Sequence, residues 1–242
     1  TTGAGASSLG GAGLIHVPIQ VKDWLTFRAA YRHVETSEPP SSTGTPGRPP
    51  GSGNVRFHQD EIYGGAGVGT SHLWFEAMGM AVMASDADVA AGQAARLRLG
   101  HRYGLQLEQA ALVRQGDTNG QLMPTAYVWP LGWLGLSAGA RFTFDPDGFA
   151  ASAVLGASLM PEPVEIHLRA HAGVERWPVT MAMPQVLTLD EDVNVGGSLT
   201  TMFAVSESWS LGLQGQVERI DRQGQGAVFT SVAAGLRWSP IL

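Results

Sequence analysis

The sequence has no cysteine, which removes disulfides and thiol chemistry from consideration. It has one lysine, Lys22, beside 14 arginines in a chain rich in alanine and glycine, a balance that reads as base bias rather than selection for a partner. The net charge of −6 leaves no electrostatic footprint for nucleic acid. No run of about 18 apolar residues exists, so no helix could cross a membrane. Mean hydropathy is +0.02, which does not argue against a membrane, because alternating apolar and polar residues cancel in any window. The opening TTGAGASSLGG lacks a basic region followed by an apolar core. If the protein is exported, a signal peptide is expected to have been removed.

What is present is alternation. In 164–177, VEIHLRAHAGVERW, residues Val164, Ile166, Leu168, Ala170, Ala172 and Val174 share one parity. Glu165, His167, Arg169, His171, Gly173 and Glu175 share the other. Period two over about eleven residues is a strand, longer than the five or six residues typical of soluble proteins. A strand crossing a bilayer needs about nine to eleven residues, with an apolar face to lipid and a polar face to a lumen.

The pattern recurs. Strands are predicted in 24–35, within 54–70, and over 75–84, 95–104, 105–114, 122–129, 134–144, 149–160, 164–177, 193–205, 209–218 and 227–238. The glycines of GGAGVG, 64–69, leave the register over 54–84 open, and Pro124 weakens the strand it lies in. Longer connections are expected at 36–53 (dense in Pro, Gly and Ser), 85–94, 115–121 and 178–192; Asp145-Pro146-Asp147-Gly148 is a tight hairpin turn. Long connections at one end and short ones at the other match outer-membrane barrels, whose even strand count places both termini in the periplasm. The expected fold is therefore all-β: a single transmembrane antiparallel barrel of about twelve strands over 24–242, after a Gly-rich periplasmic lead-in at 1–23. A soluble β-sandwich would also alternate. It would not explain the long strands or the gathering of tryptophan at one level. Trp24, Trp74, Trp129, Trp133, Trp209 and Trp238 fall at the predicted periplasmic strand ends and Trp177 at the other end, as expected of a membrane-interface girdle.

Parity assigns the lumen. Arg28, Arg32, Arg96, Arg98, Arg102, Arg141, Arg169 and Arg237 are expected to face inward with Glu108, Glu165, Glu175, Glu218, His167, His171, Gln214 and Gln216. On this count the lumen is positive and favours anions if open; alternatively the charges pair across it and close it. His167 and His171 lie about 13 Å apart along a strand, too far to share a metal, so no metal site is expected. GGAGVG lacks the lysine and the strand-to-helix setting of a phosphate loop. No cofactor is expected, and no nucleophile and base can be paired to make an enzyme.

From residue 24 onward the pattern resembles Gram-negative outer-membrane β-barrels. LGGAGLIHVP, 9–18, is similar to the Gly-rich start of porin-like and exopolysaccharide-associated barrels, and the composition resembles myxobacterial envelope proteins, including the porin-like barrels of the gliding-motility machinery. Many such barrels end in an aromatic residue read by the insertion machinery; here the last aromatic is Trp238, four residues before Leu242. Some are phospholipases, but none of the seven histidines has a serine two residues later, as that resemblance would require. The expected function is a porin-like channel for small polar, anionic solutes in the bacterial outer membrane. The alternative is a structural barrel anchoring a multi-protein envelope machine for motility or polysaccharide export. A third reading is an outer-membrane lipid hydrolase. The expected partners are the lipid bilayer and other envelope proteins, and no nucleic acid.

Overall fold

A computed structural model describes residues 7–38, 55–84, 89–114, 116–146, 148–175, 179–181, 185–186, 192–222 and 225–239. The first strands are β1 (Ser7–Lys22), β2 (Leu25–Glu38), β3 (Val55–Gly69), β4 (Leu73–Ala84) and β5 (Val89–Gly100). They are followed by β6 (Tyr103–Arg114), β7 (Asp117–Leu131), β8 (Leu134–Asp145), β9 (Gly148–Leu159) and β10 (Val164–Glu175). A two-residue pair, β11 (Val179–Thr180) and β12 (Gln185–Val186), precedes β13 (Asp192–Ala204), β14 (Trp209–Arg222) and β15 (Gln225–Trp238). All but β11 and β12 close into one barrel of thirteen strands. Neighbours run antiparallel except at the closure, where β1 pairs with β15 in parallel, from Ser7↔Val228 to His16↔Arg237.

The all-β barrel agrees with the expected class, and three features of the expectation change. First, Ser7–Lys22 is a wall strand and not a lead-in; it pairs with β2 over Leu9↔Ser37 to Lys22↔Leu25. Glycine at 10, 11 and 13 and apolar residues on both parities from Leu14 to Ile19 hide its alternation. Second, thirteen is odd, so the start of β1 and the end of β15 lie at opposite ends of the barrel rather than together. Third, β5 begins at Val89 and β7 at Asp117, so much of the two expected loops at 85–94 and 115–121 is strand. Most of the expected 36–53 loop lies outside the described residues.

Every connection at the tryptophan end spans two to four residues, whereas those at the other end run from two residues, as between β8 and β9, to sixteen between β2 and β3. Gly100, with a φ of +98°, opens the two-residue turn His101–Arg102 between β5 and β6; such a φ is accessible to glycine at no steric cost. Pro124 sits in β7 opposite Leu107 of β6. The β7–β8 pairing skips from Leu122↔Phe142 to Thr125↔Gly139 around it without changing register, as a residue with no N–H to donate requires.

The pleat sends alternate side chains to opposite faces. The outer wall carries large exposed apolar residues on every face of the barrel, among them Phe27, Ile62, Phe75, Leu105, Leu136, Leu155, Leu168, Leu213 and Val232. The inside carries the buried charge: Glu61 is 0% exposed, Glu76 and Arg141 2%. This is the reverse of the usual partition in a water-soluble protein.

Candidate functional site

The lumen divides into two halves. In the half walled by β2 to β7, inward residues fill the space. At the tryptophan end Glu76 bridges two cations, Arg28 Nη1 at 3.1 Å and Arg96 Nη2 at 2.6 Å, and Arg96 also lies 3.6 Å from Glu108. Farther in, Met78, Met80, Val82, Ala90, Ala94, Ala110 and Leu112 pack together. Val179 and Met181, from the β11–β12 segment, complete that cluster, 3% and 2% exposed. Gln121 holds the segment as a neighbouring strand would. Its Nε2 donates to the Val179 carbonyl and its Oε1 accepts from the Val179 amide, both at 3.0 Å. Beside the cluster, Glu61 accepts hydrogen bonds from Arg32 (2.8 Å), Gln59 (2.6 Å) and the Tyr63 hydroxyl. A buried carboxylate needs this many donors to remain charged without a large desolvation penalty.

The other half, walled by β10, β13, β14, β15 and β1, holds a cavity of about 390 Å³. Strand register builds it in rungs. Glu165 stands opposite Met202, then Gly212 and Gly235; His167 opposite Thr200, then Gln214 and Ala233. Arg169 stands opposite Ser198, then Gln216 and Ser231; His171 opposite Gly196, then Glu218 and Phe229. Small side chains on β13 to β15 leave the room that methionine and valine occupy in the filled half. The rungs near the tryptophan end are the more exposed: the Glu165 and His167 side chains are 34% and 38% exposed, those of Glu175 and Glu218 3% and 5%. Water therefore reaches the cavity from the tryptophan end.

Ion pairs cross this half between strands that are not neighbours. Arg237 of β15 donates to both Glu165 oxygens on β10, at 3.0 and 3.3 Å. Arg141 of β8 pairs with Glu175 of β10, and Ser152 of the intervening β9 donates to the same carboxylate at 2.6 Å. His171 Nε2 lies 3.2 Å from Glu218 Oε2, within ion-pair reach although neither atom is aligned for a hydrogen bond. The Glu218 carboxylate is folded down over Gly196, where a Cβ would collide with it, and Gln216 Nε2 donates to it at 2.9 Å.

Arg28, Arg141, Glu165, His167, Arg169, His171, Glu175, Gln214, Gln216, Glu218 and Arg237, all expected in the lumen, line this cavity. Arg32, Arg96 and Glu108 lie in the filled half. Arg98 is on the inward parity but exposed at the mouth, and Arg102 does not line the lumen: it is exposed in the turn that Gly100 opens. The positive lumen expected from a count of arginines is also corrected. Glu61 and Glu76, on strands of unassigned facing, point inward, and Arg28, Arg32, Arg96, Arg141 and Arg237 each have a carboxylate oxygen within 4.0 Å. Arg169 is the exception. Among the described residues it makes no salt bridge, and its Nη2 meets the Met123 sulfur at 3.8 Å.

The tryptophans also divide. Trp24 and Trp133 are exposed in turns, and Trp209 and Trp238 stack on the outer wall with ring centroids 6.0 Å apart. Trp74 and Trp129 stand at the same end on the inward parity, so they are not part of an outer girdle. Each ring lies over a glycine of the next strand, Gly67 and Gly135, where a Cβ would come within 2.5 and 2.8 Å of it. Trp177 lies outside the described residues. Compared with known proteins, the chain matches no family model and no curated sequence.

Proposed function

We propose that this chain is an outer-membrane β-barrel of a Gram-negative bacterium, and that its polar half-lumen is a narrow, porin-like passage for small polar anions. The observation that carries the reading is the inverted partition: large apolar side chains ring the outside while the buried charges lie inside, paired with one another. Soluble monomers rarely expose contiguous apolar patches beyond a few hundred Å². A lipid-facing wall needs such a surface, with its backbone hydrogen bonds closed around a barrel. Strands of twelve to sixteen residues are long enough to span the hydrocarbon core at the usual tilt. Arg169, without a carboxylate within 4.0 Å among the described residues, supports anion preference. The apolar filling between β2 and β7 supports a bore much narrower than that of a general porin.

The test is reconstitution of the purified chain in a planar bilayer under a KCl gradient. The reading expects small unitary conductances with a reversal potential on the chloride side. Failure to insert would remove it. The second reading, a structural barrel that anchors an envelope assembly, is favoured by the charge pairs that tie β10 to β15 and β8 to β10 across the lumen. It expects insertion with no conductance.

A further inference from the structure

The cavity beside β10 is more than a passage. We infer that it is a binding site for a small organic monocarboxylate, with the carboxylate on Arg169 and the apolar body against Leu14 and Met202. The inference deepens the anion-passage reading and takes its access from the tryptophan end.

Three observations combine. The first is the odd arginine. Four arginines line the cavity, and Arg28, Arg141 and Arg237 are each committed to a glutamate. Arg169 meets Met123 through one nitrogen and makes no salt bridge among the described residues. It feels Glu175 and Glu218 only at longer range. The side chain is half-buried in the cavity lining, and the planar guanidinium fork matches a carboxylate in bidentate geometry.

The second is the neighbourhood. Ser198 stands directly across from Arg169 on β13, with Thr200 on the next rung toward the tryptophan end. Both line the cavity and supply hydroxyl donors for a bound carboxylate. Leu14 and Met202, also in the lining and 6% and 7% exposed, lie over the paired glycines Gly235 and Gly212. They give the same chamber an apolar floor.

The third is size and charge. A volume of about 390 Å³ falls within the range of small-molecule pockets. Three carboxylates share the lining, Glu165, Glu175 and Glu218. They repel a multiply charged anion more strongly than a single carboxylate, and none of them pairs with Arg169 within 4.0 Å. Sugars and other neutral polyols bring no charge to Arg169.

The test uses the full chain in detergent micelles and follows binding of benzoate by saturation-transfer NMR. Benzamide serves as the neutral counterpart and inorganic phosphate as the multiply charged one. Benzoate is expected to bind saturably, at least tenfold more tightly than benzamide or phosphate. Arg169→Gln is expected to weaken it by at least tenfold, Arg169→Lys by less, and Ser198→Leu to abolish it by filling the chamber. Arg98→Gln, at the exposed mouth, leaves it unchanged. Circular dichroism checks that each variant keeps its strands, and Ser198→Leu keeps the test open if Arg169→Gln fails to fold. Equal binding of benzamide, saturable phosphate binding tighter than benzoate, or full benzoate binding by both variants would each overturn the inference. So would the lack of any saturable benzoate binding. Flotation with lipid vesicles is measured on the same preparation. A chain that floats but does not bind benzoate defeats this inference alone, whereas one that binds but does not float defeats the membrane reading alone.

Discussion

The two halves of the lumen are built on the same pleat and differ only in what the inward positions carry. Between β2 and β7 those positions hold methionine, valine, alanine and leucine over a floor of shared carboxylates. Between β10 and β15 they hold serine, threonine, glutamine and glycine. The first half behaves as a packed core, closed by Val179 and Met181. The second keeps a chamber whose charges are tied across open space. Closure of a barrel is thus no guarantee of a pore, and side-chain volume at every second residue decides which sector stays open.

The comparison makes graded predictions. The largest effect is expected from Glu76→Ala, which removes a buried carboxylate shared by the half-buried Arg28 and Arg96, leaves Arg96 only Glu108, and should cost about 3–5 kcal/mol. Glu165→Ala, at the hydrated end of the chamber, should cost no more than about 1 kcal/mol. Urea unfolding of both variants in the same detergent reads the contrast, and equal losses would break the division into halves. Next, Leu112→Ala opens a void in the filled half and should cost about 2–5 kcal/mol. Gln214→Ala enlarges a chamber that already exists and should stay within about 1 kcal/mol, as thermal unfolding would show. On the outer wall, Leu213→Arg should cost about 2–4 kcal/mol in a bilayer, against about 0.5 kcal/mol or less if the same position faces water; folding titrations into vesicles distinguish the two. Of the variants expected to disturb packing, Gly67→Ala has the smallest effect; it drives a methyl group into the Trp74 ring. A loss of about 1–3 kcal/mol should come with a shift of tryptophan fluorescence, and an unchanged spectrum would contradict the inward placement of Trp74.

Much of this could be read before the fold was known, for a definite reason. Where inward residues are charged and outward ones apolar, as from Val164 to Glu175, period two reports the face of each residue directly. The reading weakens wherever that chemical contrast fades. In β1 glycines and apolar residues occupy both parities, so a wall strand resembles a tail, and its loss made the count even. In β4 Met78 and Met80 face inward and Ala77 and Gly79 outward, so alternation existed in size rather than polarity; Glu76 had no assigned face and Trp74 was placed in the outer girdle. Arg102 was lost differently: the alternation of ARLRLGHRYG continues through a turn that only the positive φ of Gly100 marks. The inward fold of β11 and β12 depends on Gln121, 58 residues from Val179, and no local pattern reports such a contact.

The account depends on which medium touches the outer wall. Sedimentation of the purified chain in detergent-free buffer, beside flotation with lipid vesicles, addresses this directly. The account predicts that the chain aggregates without detergent and floats with the vesicles as a folded barrel. A monodisperse, folded monomer that remains in the aqueous fraction would contradict it.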